Sequence, residues 1–282
     1  MNLAPVQAIE GDVLYDGFIL YPYREAPLRR QRRWTFGALY PRAYAQQRDA
    51  RLCSQQVQCL IRGGEATTVE IRTCFLQLTD RQPGRLSKPV TTLPRFKDPD
   101  FIPAERIEIG GETHHHWQEA LEREVHLPAA SLAELSGAGV RQRFDYDDER
   151  SFEGLRDPSG RIAAVLLRTR ERLTGDISAY SQRIGDGLYR VTVRVENLTP
   201  LSSASRWDDD LAARHSLASA HTALSVSDGR LVSLIEPPAE YAIAAAGCVN
   251  KGCFPVLVGD RSRCDTLLAS PVILYDFPHA AW

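Results

Sequence analysis

Two stretches near the C-terminus hold the side chains best suited to chemistry. One is ARHSLASAHTALSV, where His215 and His221 bracket Ser216 and Ser219; the other is AAAGCVNKGCFPVLVGDRSRC, with Cys248, Cys253 and Cys264. A hydroxyl and an imidazole form a nucleophile–base pair only within hydrogen-bond reach. No glycine-flanked serine elbow accompanies these residues. Cys248 and Cys253 have four residues between them, at the loose end of zinc-knuckle spacing, and no second close pair follows. The candidate donor set for zinc or another transition metal is therefore His215, His221, Cys248 and Cys253, which supply the imidazoles and thiolates such an ion prefers. Against it stands the ordinary behaviour of a free cysteine, which packs as a small hydrophobe. No cofactor is favoured on this pattern.

Two further clusters carry charge. The triplet His114–His116 stands in THHHWQEALEREVHLP. If that stretch is a helix, consecutive residues point about 100° apart and the three cannot bind one ion together. His115 with Glu119, and Glu122 with His126, would then meet one turn apart as surface pairs. The other cluster is Arg24, Arg29, Arg30, Arg32 and Arg33, beside Trp34, in GDVLYDGFILYPYREAPLRRQRRWTFGALYP. Arginine with aromatics could grip phosphates and bases, or an acidic protein surface. The bland alternative is a solvated loop between two strands.

The elements that would hold these residues read mainly as β. Val13, Tyr15, Ile19 and Tyr21 share one parity, as do Trp34, Phe36, Ala38 and Tyr40, so residues 11–41 predict two strands joined by a loop at 22–33. A strand is expected over Cys53–Ile61, then a turn at Gly63-Gly64 and a strand over Thr67–Leu78. In that second strand the parity changes near Cys74, which predicts a bulge or a strand end buried on both faces. Five prolines between Arg81 and Pro103 predict a long loop. A short strand follows at Arg106–Ile109. A helix is expected from about His114 to His126, capped by Thr113 and stopped by Pro128, with a second helical piece at Ala129–Leu135. Arg161–Thr169 and Leu188–Leu198 read as strands, the latter alternating cleanly. Asp208–Asp210 suit a helix start within Trp207–Ala220. Asp228-Gly229 marks a hairpin turn, and Phe254–Val258 and Pro271–Tyr275 close the chain as strands.

About ten strands and two or three short helices that do not alternate with them predict an α+β fold, mainly antiparallel sheet. The 282 residues suit one compact domain spanning 1–282, with a soft boundary near 136–150 if there are two halves. The formal charge of −2 gives no general attraction to nucleic acid or an anionic membrane, so nucleic acid stays a second alternative confined to the 24–33 loop. No apolar run reaches the roughly 20 residues of a membrane helix, so no membrane insertion is expected. The N-terminus lacks a secretory pattern. Six cysteines without one are read as reduced thiols of a cytoplasmic protein.

Three stretches together carry a resemblance: LYDGFILYPYR…RRWTFGALYP (14–41), HSLASAHTALSVSDGRLVSLIEPP (215–238) and CFPVLVGDRSRCDTLLASPVILYDFP (253–278), with WQEALEREV (117–125) in keeping. The chain resembles bacterial proteins of uncharacterised function encoded beside [NiFe]-hydrogenase and hydrogenase-maturation genes. That resemblance implies a non-catalytic, cytoplasmic accessory role, with a hydrogenase subunit or maturation protein as partner. It brings no catalytic residues. The sequence departs from it by stopping soon after Tyr275-Asp276-Phe277-Pro278, where relatives run on into an acidic tail. The expected contact surfaces are the arginine loop (Arg24, Arg29, Arg30, Arg32, Arg33, Trp34) and the proline-rich stretch 81–103, because polar loops on a sheet scaffold commonly carry recognition. The alternative is a metal-binding enzyme or metal carrier using the His/Cys set above.

Overall fold

A computed structural model describes residues 37–201 and 208–278. Of the second expected strand, residues 37–40 make only isolated bridges at Leu39, to Leu217 and to Leu52; the first expected strand, the arginine loop and residues 34–36 lie outside the described residues. Within them are fourteen strands and four short α-helices. The strands are β1 (Ser54–Val90), β2 (Phe101–Pro103), β3 (Arg106–Ile109), β4 (Glu112–His115), β5 (Trp117–His126), β6 (Ala130–Ser131), β7 (Val140–Tyr146), β8 (Glu149–Arg156), β9 (Ile162–Arg170), β10 (Leu173–Gly185), β11 (Leu188–Asn197), β12 (Ala218–Val232), β13 (Phe254–Val258) and β14 (Thr266–Ser270). The helices are α1 (Arg42–Ala45), α2 (Leu132–Ser136), α3 (Asp209–Arg214) and α4 (Ala242–Ala246). The expected α+β class with a dominant antiparallel sheet is therefore found, with four helices in place of two or three.

Everything is organised along β1, a continuous strand of 37 residues. At about 3.3 Å per residue it would span roughly 120 Å if straight. A compact chain of this length has a radius of gyration of only about 19 Å, so β1 has to bend. It does so where its register slips against its neighbours: between Gly63 and Thr68, between Cys74 and Leu76, and between Arg85 and Val90. One edge of β1 pairs successively with β11, β6, β5 and β2; the other pairs with β12 and then β9. All these pairings are antiparallel.

Side-chain alternation gives β1 two buried faces. Val57, Cys59, Ile61, Val69, Ile71 and Phe75 enter the main core with Tyr189, Val191, Val193 and Val195 of β11. Leu76 and Leu78 turn to the other side and pack with Ala218 and Ala213. The sheet path runs β1-β11-β10-β7. Yet Phe144 of β7 lies 5.4 Å, centroid to centroid, from Phe75 of β1, and the Arg123 guanidinium of β5 sits 4.2 Å over the Tyr146 ring of β7. The sheet therefore curls until β7 meets β5, wrapping the main core. Helix α2 packs into it through Leu132 and Leu135, its start fixed by a capping box between Ser131 and Glu134.

Several expectations need correction. His114–His126 is not helical: it forms β4 and β5, and ten residues of β5 pair with Arg72–Arg81 of β1. WQEALEREV is built from good helix formers with its apolar residues at helical spacing, but the hydrogen bonds offered by β1 decide. Thr113 is thus a strand residue, not an N-cap. The proline-rich loop begins later than expected, because β1 runs through Arg81–Val90 and Phe101–Pro103 returns to pair with Gly84–Leu86. Pro83 is tolerated in that ladder opposite Leu166; its carbonyl accepts from Ala104 N at 2.9 Å. Gly63-Gly64 and Asp228-Gly229 do not turn the chain back. Gly63 pairs with Gly229, and beyond that pair residues 64–67 of β1 stand opposite Asp228 alone, one irregularity within two continuing strands; Asp228 takes φ 59° without being glycine. The last strand is Thr266–Ser270; Pro271–Tyr275 is irregular. Two-residue hairpin turns occur elsewhere: β3–β4 is closed by Gly110-Gly111 with φ 60° and 85°, and β10–β11 by Asp186-Gly187.

Candidate functional site

The four proposed metal ligands are not gathered. His221 is fully buried on β12. Its Nδ1 donates to the Ser219 carbonyl at 2.7 Å, which leaves Nε2 to accept from Ser270 Oγ at 3.1 Å. Ser270 Oγ in turn accepts from Val272 N at 3.0 Å. Burial pulls the His221 pKa down to about 4, so the ring is neutral at physiological pH. The arrangement has the connectivity of a nucleophile, base and orienting acceptor, but both side chains are sealed from solvent. The serine partner is Ser270, 49 residues away on the neighbouring strand, and not the nearby Ser216 or Ser219. On the other side of His221, β1 places Cys74 directly opposite it.

His215 follows α3, with Nε2 4.0 Å from Glu171 Oε2; desolvation lowers its pKa. Cys248 follows α4 and directs Sγ to the Ala244 carbonyl at 3.6 Å. Cys253 Sγ donates to the Gln56 carbonyl at 3.2 Å, and burial pushes its pKa up to about 12. Cys248 and Cys59 are shifted upward for the same reason. These are protonated, packed thiols, the opposite of the thiolate that metal ligation or nucleophilic attack requires. Among the described residues, no group of three or more His, Cys, Asp or Glu side chains is disposed to hold a metal ion.

The histidine triplet separates as a strand demands. His116 Nε2 sits 3.0 Å from Asp80 Oδ1, whose other oxygen is 3.8 Å from Arg214. His114 lies 3.8 Å from Glu112, and His126 pairs with Glu124. The expected pair Glu122 and His126 stands about 13 Å apart along β5 and cannot share an ion. Nearby, Glu119 accepts from Arg81 at 3.0 Å and from Arg168 at 2.7 Å. Its two arginines hold its carboxyl below the ordinary range in spite of the desolvation that opposes them.

Residues 87–100, the end of β1 and the loop that follows it, are different in kind. The base is rigid. Ser87 N donates to the Asp100 carbonyl at 3.2 Å, Arg161 donates to the Pro89 carbonyl, and Asp98 pairs with Arg150. Phe101 meets Phe152 edge to face at 5.8 Å, over a small core of Leu86, Ile162 and Val165. Gly84 is needed beneath: a Cβ there would lie 2.3 Å from the Phe101 ring and 2.8 Å from the Ile102 carbonyl oxygen. On this base stands Phe96, 100% exposed, between Arg95 and Lys97. Beside it is a depression of about 410 Å³ lined by the apolar Leu86, Val90, Pro94 and Pro99 and by two charges of each sign, Lys88 and Lys97 with Asp98 and Asp100. Sequence reasoning named the stretch but took it all for loop. The signal for its tip was present: an aromatic between two cations, framed by Pro94 and Pro99.

A second apolar surface is the outer side of α4 and the residues after it, where Ala242, Ile243, Ala246 and Val249 face solvent and Ile243 is 91% exposed. The arginine loop residues Arg24, Arg29, Arg30, Arg32, Arg33 and Trp34 lie outside the described residues. No helix among those described is long and apolar enough to cross a membrane.

No protein-family model matches the chain, and no curated protein sequence is similar to it.

Proposed function

We propose that this protein is a non-catalytic accessory factor that acts by protein–protein contact, with a [NiFe]-hydrogenase subunit or maturation protein as its partner. The observation that carries the contact reading is Phe96. A fully exposed phenylalanine costs solubility and contributes nothing to the core, yet it is held out on a loop whose base is braced by hydrogen bonds, an ion pair and two packed rings. Aromatic and arginine side chains presented together are the composition of interface hot spots. A rigid presenting loop also loses little entropy on docking. The choice of partner rests on the resemblance of residues 14–41, 215–238 and 253–278 to proteins encoded beside hydrogenase genes.

The test is co-expression with the hydrogenase subunits and maturation proteins, followed by purification through the accessory chain. One of them is expected to co-purify, and Phe96→Ala is expected to remove it, while Ile243→Ser on the other apolar surface leaves it. Replacing Arg29, Arg30, Arg32 and Arg33 with serine asks whether the arginine loop shares the contact. Co-purification unchanged by Phe96→Ala would remove this surface from the account.

A metal carrier or metalloenzyme is the weaker reading, because His215, His221, Cys248 and Cys253 each have a separate, local hydrogen-bond or ion-pair partner. Untagged protein is accordingly expected to contain zinc and other transition metals well below one equivalent by elemental analysis; a full equivalent would favour the carrier.

A further inference from the structure

An unbalanced charge lies on the outer face of the sheet formed by β7, β10 and β11. The register sets Tyr180 of β10 opposite Thr192 of β11, with Ser178 opposite Arg194 on one side of that row and Gln182 opposite Arg190 on the other. Arg141 of β7 stands beyond Ser178. The alternate residues Ile177, Ala179, Val191 and Val193 enter the core, so these side chains face outward, and Tyr180 is 45% exposed. The three rows hold no acidic residue. Asp176 and Glu196 follow one row further on, and both are already matched. Asp176 is buried against Arg141 and Arg143, and Glu196 pairs with Arg42 at 3.3 Å. Arg194 Nε donates to the Gln56 side-chain oxygen at 3.4 Å. Arg190 reaches the Cys248 thiol beneath Gly247, where a Cβ would lie 3.0 Å from its Nη2. Among the described residues neither of these two arginines has a carboxylate partner. Leaving aside the matched Glu196–Arg42 pair, this part of the face sets four arginines against one aspartate, in a chain whose formal charge is −2.

The ring and the two free cations define a ligand by their spacing. Arg190 and Arg194 are both diagonal neighbours of Tyr180, about 7–8 Å from it, and stand about 13 Å apart along β11. A single small anion cannot meet both. A planar group with an anion on either side can, and that is the repeating unit of a single-stranded nucleic acid. We propose that this face binds single-stranded nucleic acid, one base stacked on Tyr180 and the phosphates flanking it meeting Arg190 and Arg194. Arg141 adds to the positive field on the Arg194 side. Stacking on an exposed ring tolerates any base, and the phosphate contacts make the binding fall with salt. An acidic peptide fits less well. Extended peptides are held along a sheet edge or by apolar anchors in pockets, whereas Tyr180 stands within a sheet face among Ser178, Gln182 and Thr192. This activity is separate from the protein contact proposed at Phe96 and does not depend on it.

The test is fluorescence anisotropy of labelled twenty-nucleotide oligo-U and oligo-dT titrated with the full chain. The variants are Tyr180→Ala, Tyr180→Phe, Arg194→Glu and the fourfold serine replacement of Arg29, Arg30, Arg32 and Arg33. Tyr180 and Arg194 are exposed, so their variants are expected to melt as the wild type does. At least one oligonucleotide is expected to bind, and to weaken steeply as salt rises from about 50 to 200 mM. Tyr180→Ala is expected to cost about fivefold or more, the stacking of one base, while Tyr180→Phe keeps the ring and the affinity. Arg194→Glu is expected to cost at least tenfold. Tighter binding of oligo-U than of oligo-dT would assign the site to RNA, and the reverse to DNA. Failure of both to bind at the lower salt would overturn the proposal, as would affinity indifferent to Tyr180→Ala and Arg194→Glu. So would a loss confined to the arginine-loop variant, or poly-glutamate bound as tightly as either oligonucleotide. Phe96→Ala is expected to leave these affinities unchanged, so the protein-contact reading and this inference fail on different variants.

Discussion

His221 shows how a residue can look reactive in sequence and be structural in the fold. Its ring is fully buried, holds two hydrogen bonds and titrates near 4. An unfolded histidine titrates near 6.5. Between these values the unfolded chain binds a proton that the folded chain does not, so stability is complete above pH 6.5 and falls as the pH drops toward 4. Across that window the loss is on the order of 3 kcal/mol. His215, also lowered, acts in the same direction. Denaturant melts at pH 7, 5.5 and 4.5 are expected to show this slope, and His221→Gln is expected to flatten most of it. Glu119 gives a separate, lower window: its carboxyl is depressed, so its contribution persists above its ordinary range and is lost only as the pH falls below it. At the same scale Phe96→Ala should leave the melting temperature unchanged, since the side chain touches no core.

At the scale of elements, legibility followed how self-sufficient each pattern was. Leu188–Asn197 could be read directly from Tyr189, Val191, Val193 and Val195, all buried on one face, although Thr192 on the other face is buried too. The parity change at Cys74 also announced a real irregularity; β12 absorbs it at Ser219, which takes φ 52°. Arg161–Thr169 reappears as β9 and Asp208 as the cap of α3. What could not be read is what β1 does at a distance. Its pairing makes a strand of Trp117–His126 and carries Pro83 and Pro89 inside an extended segment. Glycine signals at Gly63-Gly64 and Asp228-Gly229 suggested reversals, but they mark one shared irregularity of the β1–β12 ladder, held by Thr67 Oγ1 donating to the Asp228 carbonyl at 2.8 Å. The element under the candidate surface supplies a prediction. Gly84→Ala would force its methyl into Phe101 and the Ile102 carbonyl, displacing β2 at a cost of about 1–3 kcal/mol. Thermal unfolding should report that loss, and partner binding should weaken with it through the loosened base of the 87–100 loop.

For the whole molecule, the long bent strand explains why candidate chemistry is dispersed. A sheet curled around β1 carries His221 and Ser270 into one buried layer, Cys253 against β1, and His116 and Glu119 onto a rim of ion pairs. Rim pairs of this kind contribute little each, and they spend the local charges on one another. The tip at 87–100 is the exception, because it holds Phe96 fully exposed. Its loop is legible in sequence as a proline-framed aromatic, but its rigidity is not, because the bracing residues Arg150, Phe152 and Arg161 come from β8 and the turn before β9. The account stands or falls on whether that tip binds protein. The direct measurement is the dissociation constant between the purified chain and the hydrogenase protein that co-purifies with it, determined for wild type and Phe96→Ala at matched thermal stability. The account predicts at least a tenfold weakening, about 1.4 kcal/mol; equal affinities for the two would contradict it.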